Sequence, residues 1–321
     1  MVERFPDKQR PDISFEKARQ EALRRQEYSK GVEVSQESAT WLAYGEYPEL
    51  PIGVSYLTDI HFGGGGVDYE LLYNHLETVK DTPNMFLLMG GDIIDAFSPT
   101  KHQTGMMADV FNPDEQVEAM MDILQQMDAL GKLGAVQVGN HDYWADQAGY
   151  RFERFLRELQ CPVFQGAGDL HIMVGDQGER YQVYWSHTHF GSSRINITNS
   201  TKRALDFSSR NAEIALLGHT HQASAEVFDK AGRQFAGIVG GTYKLHDKWA
   251  ARWGEKNAGR PGYTLLLWPD VHKFEVVRSP KTARKFIIDA ICHAKEQGYI
   301  DPYTELLAKR NTTDVTRGSK K

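Results

Sequence analysis

The apolar residues of this chain gather in short, largely continuous runs, with helix-like amphipathic segments between the early ones. The clearest runs are four or five residues long and lie at 54–58, 85–89, 135–138, 183–186 and 214–217. Runs of this length without regular alternation are typical of strands that are buried on both faces. The helical pattern at 68–79, between the first two runs, indicates a βαβ unit. This half of the sequence therefore predicts a largely parallel sheet covered by helices.

The second half of the chain shows strand-like segments with closer spacing. Strands are predicted at 235–239, 263–268 and 273–277, and the last two are near enough in sequence to form a hairpin. A helical pattern follows at 282–310. Two packed sheets with helices outside accommodate both halves, so we predict an α/β fold, which some schemes would class as α+β.

One helix has a clear start signal at Asn112, which can cap a helix that begins with Pro113. The apolar residues that follow lie near helical spacing and more often enter a core than a binding surface: Val117, Met120, Met121, Leu124 and Met127. Residues 97–111, before this helix, predict an irregular loop that would overhang the ends of the strands.

The termini differ in character from the middle of the chain. Residues 1–45 are polar and charge-dense, and predict a peripheral arm with a helix at 14–28 that Ser14 could cap. Residues 46–280 contain the predicted strands and are expected to form one domain. Residues 281–321 are expected to add a C-terminal helix and a basic tail.

Composition narrows the class of protein. The chain has 321 residues, 40% apolar and 25% charged, as in ordinary globular enzymes. The formal charge of −6 argues against a broad basic surface for nucleic acid, although a local basic groove stays possible. The sequence has neither a membrane-length apolar stretch nor the apolar core of a signal peptide, and Cys161 and Cys292 are too few for a disulfide framework. We expect a cytoplasmic protein with reduced cysteines and no membrane partner; the oligomeric state stays open.

Each of the five clearest runs leads directly into side chains that can bind a metal ion. Seven candidate ligands follow the runs: Asp59, His61, Asp92, Asn140, His187, His219 and His221. Because ligands in open α/β sheets gather at the carboxyl ends of the strands, we expect these side chains to converge. In an extended strand end, residues i and i+2 point the same way, so Asp59 and His61 could reach one site. Seven carboxylate, amide and imidazole donors fit two divalent cations that share a carboxylate.

Two such cations, about 3.5–4 Å apart, can bridge a hydroxide that attacks phosphorus. The departing oxygen then needs a proton, which an imidazole near neutral pKa can supply. We assign this role to His141, with Asp95 or Asp142 as the group that fixes its tautomer. The glycine run at 63–66 is interpreted as a loop into the next helix, and the alternative is a loop whose backbone approaches a phosphate. It is not a P-loop, because no Gly-Lys-Ser/Thr follows.

Five motifs in this order and spacing resemble those of the calcineurin-like metallophosphoesterase superfamily, over roughly residues 52–245. They are Asp59-Ile60-His61, Gly91-Asp92-Ile93-Ile94-Asp95, Gly139-Asn140-His141-Asp142, His187 and Gly218-His219-Thr220-His221. The resemblance implies a four-layer α/β/β/α sandwich of two mixed sheets, and a binuclear centre of manganese, or of zinc, iron or a mixture. Carried over residue by residue, one metal is held by Asp59, His61, Asp92 and His221, and the other by Asp92, Asn140, His187 and His219. His141 would be the catalytic histidine and Asp95 its partner.

Two features of the motifs bear on the reaction. Either His187 or His189 could be the fourth-motif ligand, and the strand end favours His187. In the Ser/Thr phosphatase branch, an arginine follows the second motif and a glutamate ends the third, whereas this chain has Ala96 and Asp142. The sequence thus favours a phosphodiesterase, with a nuclease among the candidates. The alternatives are a phosphomonoesterase acting on a small molecule, and a metal-bearing scaffold with vestigial activity.

Residues 243–253 follow the last motif strand and could border the site. Trp249 and Trp253 are four residues apart, as are Lys248 and Arg252, so a helix here would carry an aromatic stripe beside a basic one. Bases stack on aromatic side chains while cations meet phosphates, so we predict substrate contacts from Lys244 and Arg252, and from His189. The alternative is that the tryptophans enter the core.

Overall fold

The computed structural model describes residues 19–20, 23, 37–96, 109–176, 178–209, 211–245 and 259–299. The chain separates into two units, Met1–Gln36 and Glu37–Lys321, and the sheets belong to the second. Several predictions fall outside the described residues: most of the helix at 14–28, most of the loop at 97–111, residues 246–258 with Arg252 and both tryptophans, and the basic tail. The domain boundaries at 45 and 280 stay a prediction.

Twelve strands form two six-stranded sheets within the described part of the chain. Their bounds are β1 Glu37–Ala43, β2 Ile52–Leu57, β3 Met85–Met89, β4 Leu133–Gln137, β5 Val163–Phe164, β6 Gly168–Val174, β7 Glu179–Ser186, β8 Ile214–Leu217, β9 Ala223–Lys230, β10 Arg233–Gly240, β11 Thr264–Leu267 and β12 Phe274–Val277. The first sheet has the order β12-β11-β2-β3-β4-β5, and the second β1-β6-β7-β8-β10-β9. Both sheets are mixed. In the first, β2 to β5 run parallel, and β11 and β12 pair antiparallel with their neighbours. In the second, β7, β8 and β10 run parallel, and β9 pairs antiparallel with β10.

Six α-helices lie wholly within the described residues: α1 Tyr69–Lys80, α2 Pro113–Ala129, α3 Asn140–Gln147, α4 Phe152–Leu156, α5 Asn199–Arg203 and α6 Pro280–Glu296. A π-helical turn, Ala204–Ser208, continues α5. The predicted start of α2 is confirmed, because Asn112 Oδ1 accepts from the N–H of Glu115 at 3.1 Å and the Glu115 carboxylate accepts from the N–H of Asn112 at 2.8 Å. The predicted apolar stripe of α2 lies in the core.

The predicted four-layer sandwich is confirmed. Between the two sheets, Val54 and Leu88 of the first sheet pack with Val183 and Ile238 of the second. The outer face of the first sheet is covered by α1, α2 and α6, whose buried side chains form a second apolar cluster. A smaller cluster lies outside the second sheet, where the turn after α5 covers β8. Strands β2, β3, β4 and β8 are buried at every residue, which explains their continuous apolar runs, whereas β1 and β9 of the second sheet keep exposed residues.

Two elements differ from the prediction. Residues 37–43 form an edge strand that was expected to belong to the polar arm; it pairs with β6, and Trp41 meets the ring of Phe86 edge-on at 5.3 Å. The last helix ends at Glu296 rather than continuing, because Gly298 takes a left-handed conformation with φ 73°. The third motif follows β4 directly, and its Asn140 begins α3.

Candidate metal centre

Six of the seven predicted ligands form two clusters at the carboxyl ends of β2, β3, β7 and β8. Asp59, His61 and His221 make one cluster and Asp92, His187 and His219 make the other, and a third group of His61, Asp92 and His141 overlaps both. In each, one ligand atom per residue lies within 4.8 Å of the others. His61 Nε2 is 3.9 Å from Asp92 Oδ2, so the two clusters adjoin. The predicted convergence of distant strand ends is therefore present in the structure.

The backbone at these positions is left-handed rather than extended. The φ angle is positive at Asp59 (49°), His61 (51°), Asp92 (48°), His219 (69°) and His221 (56°). The expectation of an extended Asp-x-His segment was therefore wrong, although both side chains still reach one cluster. A non-glycine residue in this conformation costs free energy, and such positions gather where the surrounding structure enforces them for function.

Two glycines lie so close to the carboxylates of Asp92 and Asp59 that a side chain at either glycine would overlap them. A Cβ on Gly139 would stand 2.3 Å from Asp92 Oδ1, and one on Gly218 would stand 2.7 Å from Asp59 Oδ2. Neither distance is compatible with a side chain, and at Gly139 the backbone nitrogen of Asp92 would lie closer still, at 2.1 Å. The glycines that precede the third and fifth motifs are therefore explained by close approach to a candidate ligand.

Asp59 is held by hydrogen bonds from both sides. The N–H of His219 lies 2.9 Å from each of its carboxylate oxygens, and Thr58 Oγ1 donates to Oδ2 at 2.8 Å. The same hydroxyl lies 2.9 Å from the carbonyl of Gly90. Asp59 thus joins the first motif to the fifth. The sequence analysis did not identify Thr58, whose position directly before the motif carries no separate signal.

His187, not His189, lies in the cluster. Its Nδ1 donates to the carbonyl of Gly90 at 2.9 Å, and its Nε2 lies 3.1 Å from Asp92 Oδ2. Burial opposes charge on both groups, yet their attraction raises the pKa of His187 to about 10 and holds the pKa of Asp92 well below its ordinary range. His189 instead contacts the hydroxyl of Ser208 at 2.9 Å.

His61 has a fixed tautomer. Its Nδ1 lies 3.0 Å from Asp95 Oδ1, and a carboxylate can only accept, so Nδ1 carries a proton and Nε2 faces the cluster. That Nε2 lies 2.9 Å from Nε2 of His221. Two unprotonated ring nitrogens at this distance repel each other unless a proton or a cation lies between them. The pair is thus suited to share a cation.

His141 lies beside the clusters, at the first turn of α3. Its N–H donates to Asp92 Oδ1 at 2.8 Å, and its Nδ1 donates to the backbone carbonyl of Asp95. The Asp95 carboxylate is farther away, with Oδ1 3.8 Å from that nitrogen. Burial lowers the pKa of His141 to about 4. Asp95 therefore orients His141 mainly through its main chain, which differs from the expected carboxylate contact.

Asp142, the other proposed partner of His141, bonds the backbone instead. Its Oδ1 accepts from the N–H of Ile93 at 2.9 Å and from that of Ile94 at 3.2 Å, while its Oδ2 accepts from the N–H of Gly139 at 2.8 Å. The carboxylate thus fastens the second motif to the third. This role follows from chain geometry that the sequence does not show.

The donor set also contains buried atoms without hydrogen bonds. Within the part of the chain that the structure describes, Asn140 Oδ1 and His187 Nε2 are buried and make no hydrogen bond, although His187 Nε2 has the ion-pair contact with Asp92 given above. Buried polar atoms are normally paired, so each such atom calls for an explanation. Amide oxygen and imidazole nitrogen are ordinary ligands of divalent cations. The residues present therefore fit a metal centre.

Lys244 also reaches this region, but by a different route from the one predicted. Its buried ammonium donates to Asp95 Oδ2 at 2.7 Å and to Oδ1 at 2.9 Å.

Gln116 Oε1 accepts from the N–H groups of Asp95 at 3.1 Å and of Ala96 at 2.9 Å. Gln116 was not predicted as a site residue. The available signal was a polar residue within the apolar face of α2.

The chain matches no protein-family profile and no curated protein. Among solved structures, it is similar to a metallophosphoesterase from Sphaerobacter thermophilus, with 16% identity over 77% of this chain and 95% of the other, and a TM-score of 0.33. Vps29 from Chaetomium thermophilum has 11% identity over 70% and 94%, with a TM-score of 0.34. The nuclease MPE from Pseudomonas putida has 12% identity over 70% and 87%, with a TM-score of 0.31. Similarity at this level carries no argument about function, which rests on the side-chain geometry instead.

Proposed function

We propose that this protein is a metal-dependent phosphoester hydrolase with a binuclear centre. The observation that carries the proposal is the pair of adjoining donor clusters, which meet where His61 Nε2 stands 3.9 Å from Asp92 Oδ2. One cluster alone would suit a single structural cation. Two that adjoin at a carboxylate suit a pair of cations, the arrangement that many phosphoester hydrolases use.

The proposed ligand sets follow the two clusters. Asp59, His61 and His221 would hold one cation, His187, His219 and the orphaned Asn140 oxygen the other, and Asp92 would lie between them. When bound, such cations would supply an activated water and would offset charge on the phosphoryl group. The protein itself orients the rings of His61 and His187 through their Nδ1 contacts, so that each Nε2 faces the clusters, where a cation would take the place of a proton. We favour manganese, with zinc, iron or a mixture as alternatives.

His141 is the proposed proton donor to the leaving oxygen. With Nδ1 bound to the Asp95 carbonyl, its Nε2 is the atom that would exchange the proton. Burial disfavours the charged imidazole, and an incoming phosphate anion would favour it. The proton would thus be present when substrate is bound and would pass to the alkoxide as the ester bond breaks.

Phosphodiesters are the favoured substrates, with nucleic acid among them. The second motif is followed by Ala96, which is buried and offers no cation to a phosphomonoester dianion. A diester carries one negative charge and needs less compensation.

The test is hydrolysis by metal-stripped protein reloaded with Mn²⁺, Zn²⁺, Fe²⁺ or Mg²⁺, using chromogenic phosphodiester and phosphomonoester substrates. We expect metal-dependent turnover that is faster on the diester. Asp92→Ala should lose at least one bound ion and the activity. Faster turnover of the monoester would favour the phosphomonoesterase alternative; no turnover of either ester with any metal, or Asp92→Ala with two ions, would contradict the proposal.

A nuclease is tested separately with single- and double-stranded DNA and RNA. Cleavage under the conditions that cleave the small diester supports nucleic acid as a substrate. If every polymer stays intact while the small diester is cleaved, the nuclease interpretation is wrong and the phosphodiesterase interpretation stands.

A further inference from the structure

Lys244 and Asp95 form a buried ion pair behind the first donor cluster. The ammonium reaches both carboxylate oxygens, at 2.7 and 2.9 Å, and the Lys244 side chain is 8% exposed while that of Asp95 is 1% exposed. Removing one partner of such a pair leaves the other charge buried without compensation, and this is costly. The pair is therefore expected to be fixed in position rather than one of several surface contacts.

The same carboxylate sets the orientation of a candidate ligand. Asp95 Oδ1 accepts from His61 Nδ1 at 3.0 Å, which turns His61 Nε2 toward Asp59, Asp92 and His221. Burial opposes the charge of Asp95, but His61 and Lys244 outweigh it and lower the pKa of Asp95. A connected path thus runs from the ammonium through the carboxylate to the imidazole.

Lys244 is itself anchored to the backbone of the first motif. Its N–H donates to Thr242 Oγ1 at 3.0 Å, and that hydroxyl donates to the carbonyl of Asp59 at 2.7 Å. The N–H of Tyr243 donates to the same carbonyl at 3.1 Å. The backbone around Lys244 is therefore hydrogen-bonded to the first motif. Its side chain reaches Asp95, although 149 residues separate the two in sequence.

Gly64 contributes space to this arrangement. A Cβ at residue 64 would stand 2.6 Å from Asp95 Oδ2, the oxygen nearer to the ammonium. This close approach gives one member of the glycine run a specific role beside Asp95. A larger residue there would push the carboxylate away from its present place between Lys244 and His61.

We propose that Lys244 is a positioning residue of the metal centre, which acts through the Asp95 carboxylate to hold His61 in its ligand orientation. The inference deepens the proposed function and rests on it. It replaces the predicted substrate contact of Lys244 with a role in metal binding. Substitutions that disturb the outer partners of metal ligands typically reduce metal affinity or activity by about 10–100-fold.

The experiment is a calorimetric titration of metal-stripped full-length protein with Mn²⁺. Lys244→Met should weaken one of two binding steps by about 10–100-fold, the scale expected for an outer partner of a ligand. Lys244→Arg, which keeps a cation that can bind a carboxylate with two parallel hydrogen bonds, should recover part of that loss. Lys202→Met is the matched control, because it removes a lysine from a half-exposed pair with Glu226 and should leave both steps unchanged. Thermal unfolding of each metal-free variant checks that the fold is retained.

A double-mutant cycle tests the route through Asp95. In an Asp95→Asn background, Lys244→Met should cost little further affinity, because the carboxylate on which Lys244 acts is gone. The same loss in both backgrounds would overturn the inference, as would wild-type Mn²⁺ affinity in Lys244→Met. A raised KM for the diester with unchanged metal affinity would restore the substrate-contact role instead. A wild-type chain that binds two ions but hydrolyses no ester contradicts the proposed function alone, since the titration still reads the role of Lys244.

Discussion

His187 Nε2 stands 3.1 Å from Asp92 Oδ2, and the Nδ1 of the same ring is fixed by the carbonyl of Gly90 at 2.9 Å. This relationship selects His187 from two histidines that are two residues apart. It joins the end of β7 in the second sheet to the end of β3 in the first. The site therefore requires the two sheets to keep their packing. Substitution of each histidine in turn tests which of the two is the ligand.

We predict that His187→Asn and His189→Asn differ in bound metal. His187→Asn removes a donor from the second cluster and should lose one of two ions per chain. His189→Asn should keep both ions, because its ring contacts Ser208 outside the clusters. Elemental analysis of both variants after loading with Mn²⁺ measures the difference. Equal metal content in the two proteins would contradict the assignment.

The strand ends could be predicted from sequence because the information is local. Short apolar runs define buried strands, and chain order then brings the side chains that follow them to one edge. The strand end already favoured His187 over His189, but the carbonyl that orients its ring belongs to Gly90, 97 residues away. The partners of Asp95 depended in the same way on Lys244, which the sequence suggested only as a substrate contact. Long-range hydrogen bonds of this kind leave no periodic signal.

The backbone conformation at the motifs was also beyond the sequence analysis. Asp59 and His61 follow a strand, so an extended continuation was the simplest expectation, yet both have positive φ. Tertiary contacts enforce this conformation, among them the bond from the N–H of His61 to the carbonyl of Asp92 at 2.9 Å. Local propensity disfavours it, which is why the pattern alone could not reveal it.

We predict that His141→Asn retains metal and loses activity. The N–H of residue 141 would still donate to Asp92, so the ligand frame should persist. The lost proton transfer should lower kcat by at least about 100-fold on a diester with a poor alcohol leaving group, and less on a nitrophenyl diester. Steady-state kinetics on both substrates, with metal content measured in parallel, test this. An unchanged rate on the alkyl diester would remove His141 from the proton-donor role.

We predict that Gly218→Ala disturbs the site by steric overlap. The added methyl would stand 2.4 Å from Thr58 Oγ1 and 2.7 Å from Asp59 Oδ2, so the carboxylate must move. Overpacking of this kind typically costs about 1–3 kcal/mol, and weaker metal binding should accompany it. Gly166→Ala is the control, since a Cβ there meets nothing within 4 Å. Urea unfolding and Mn²⁺ titration should separate the two variants, and equal behaviour would contradict the close-approach explanation.

We predict that His272 stabilises the fold in a pH-dependent way, at a position away from the metal centre. Its Nδ1 lies 2.6 Å from Glu179 and its Nε2 2.9 Å from Glu213, and its ring stacks on Tyr181. Burial would lower its pKa, but the two carboxylates outweigh burial and raise it above the ordinary value of 6.5. The folded state therefore binds the proton more tightly than the unfolded chain, so the stabilisation is full below the unfolded pKa and disappears as pH rises through the folded pKa.

The measurement for His272 is the free energy of unfolding of wild type and His272→Gln at pH 5.5 and pH 9. The loss of ring stacking should cost the same at both values, whereas the ionic part should appear only at the lower pH. Because the side chain is 48% exposed, solvent screens that part to about 1 kcal/mol or less. Added salt should shrink it further. Arg233 lies 3.8 Å from Glu213 and keeps that carboxylate paired in the variant, so a larger destabilisation at pH 9 than at pH 5.5 would contradict the assigned ion pairs.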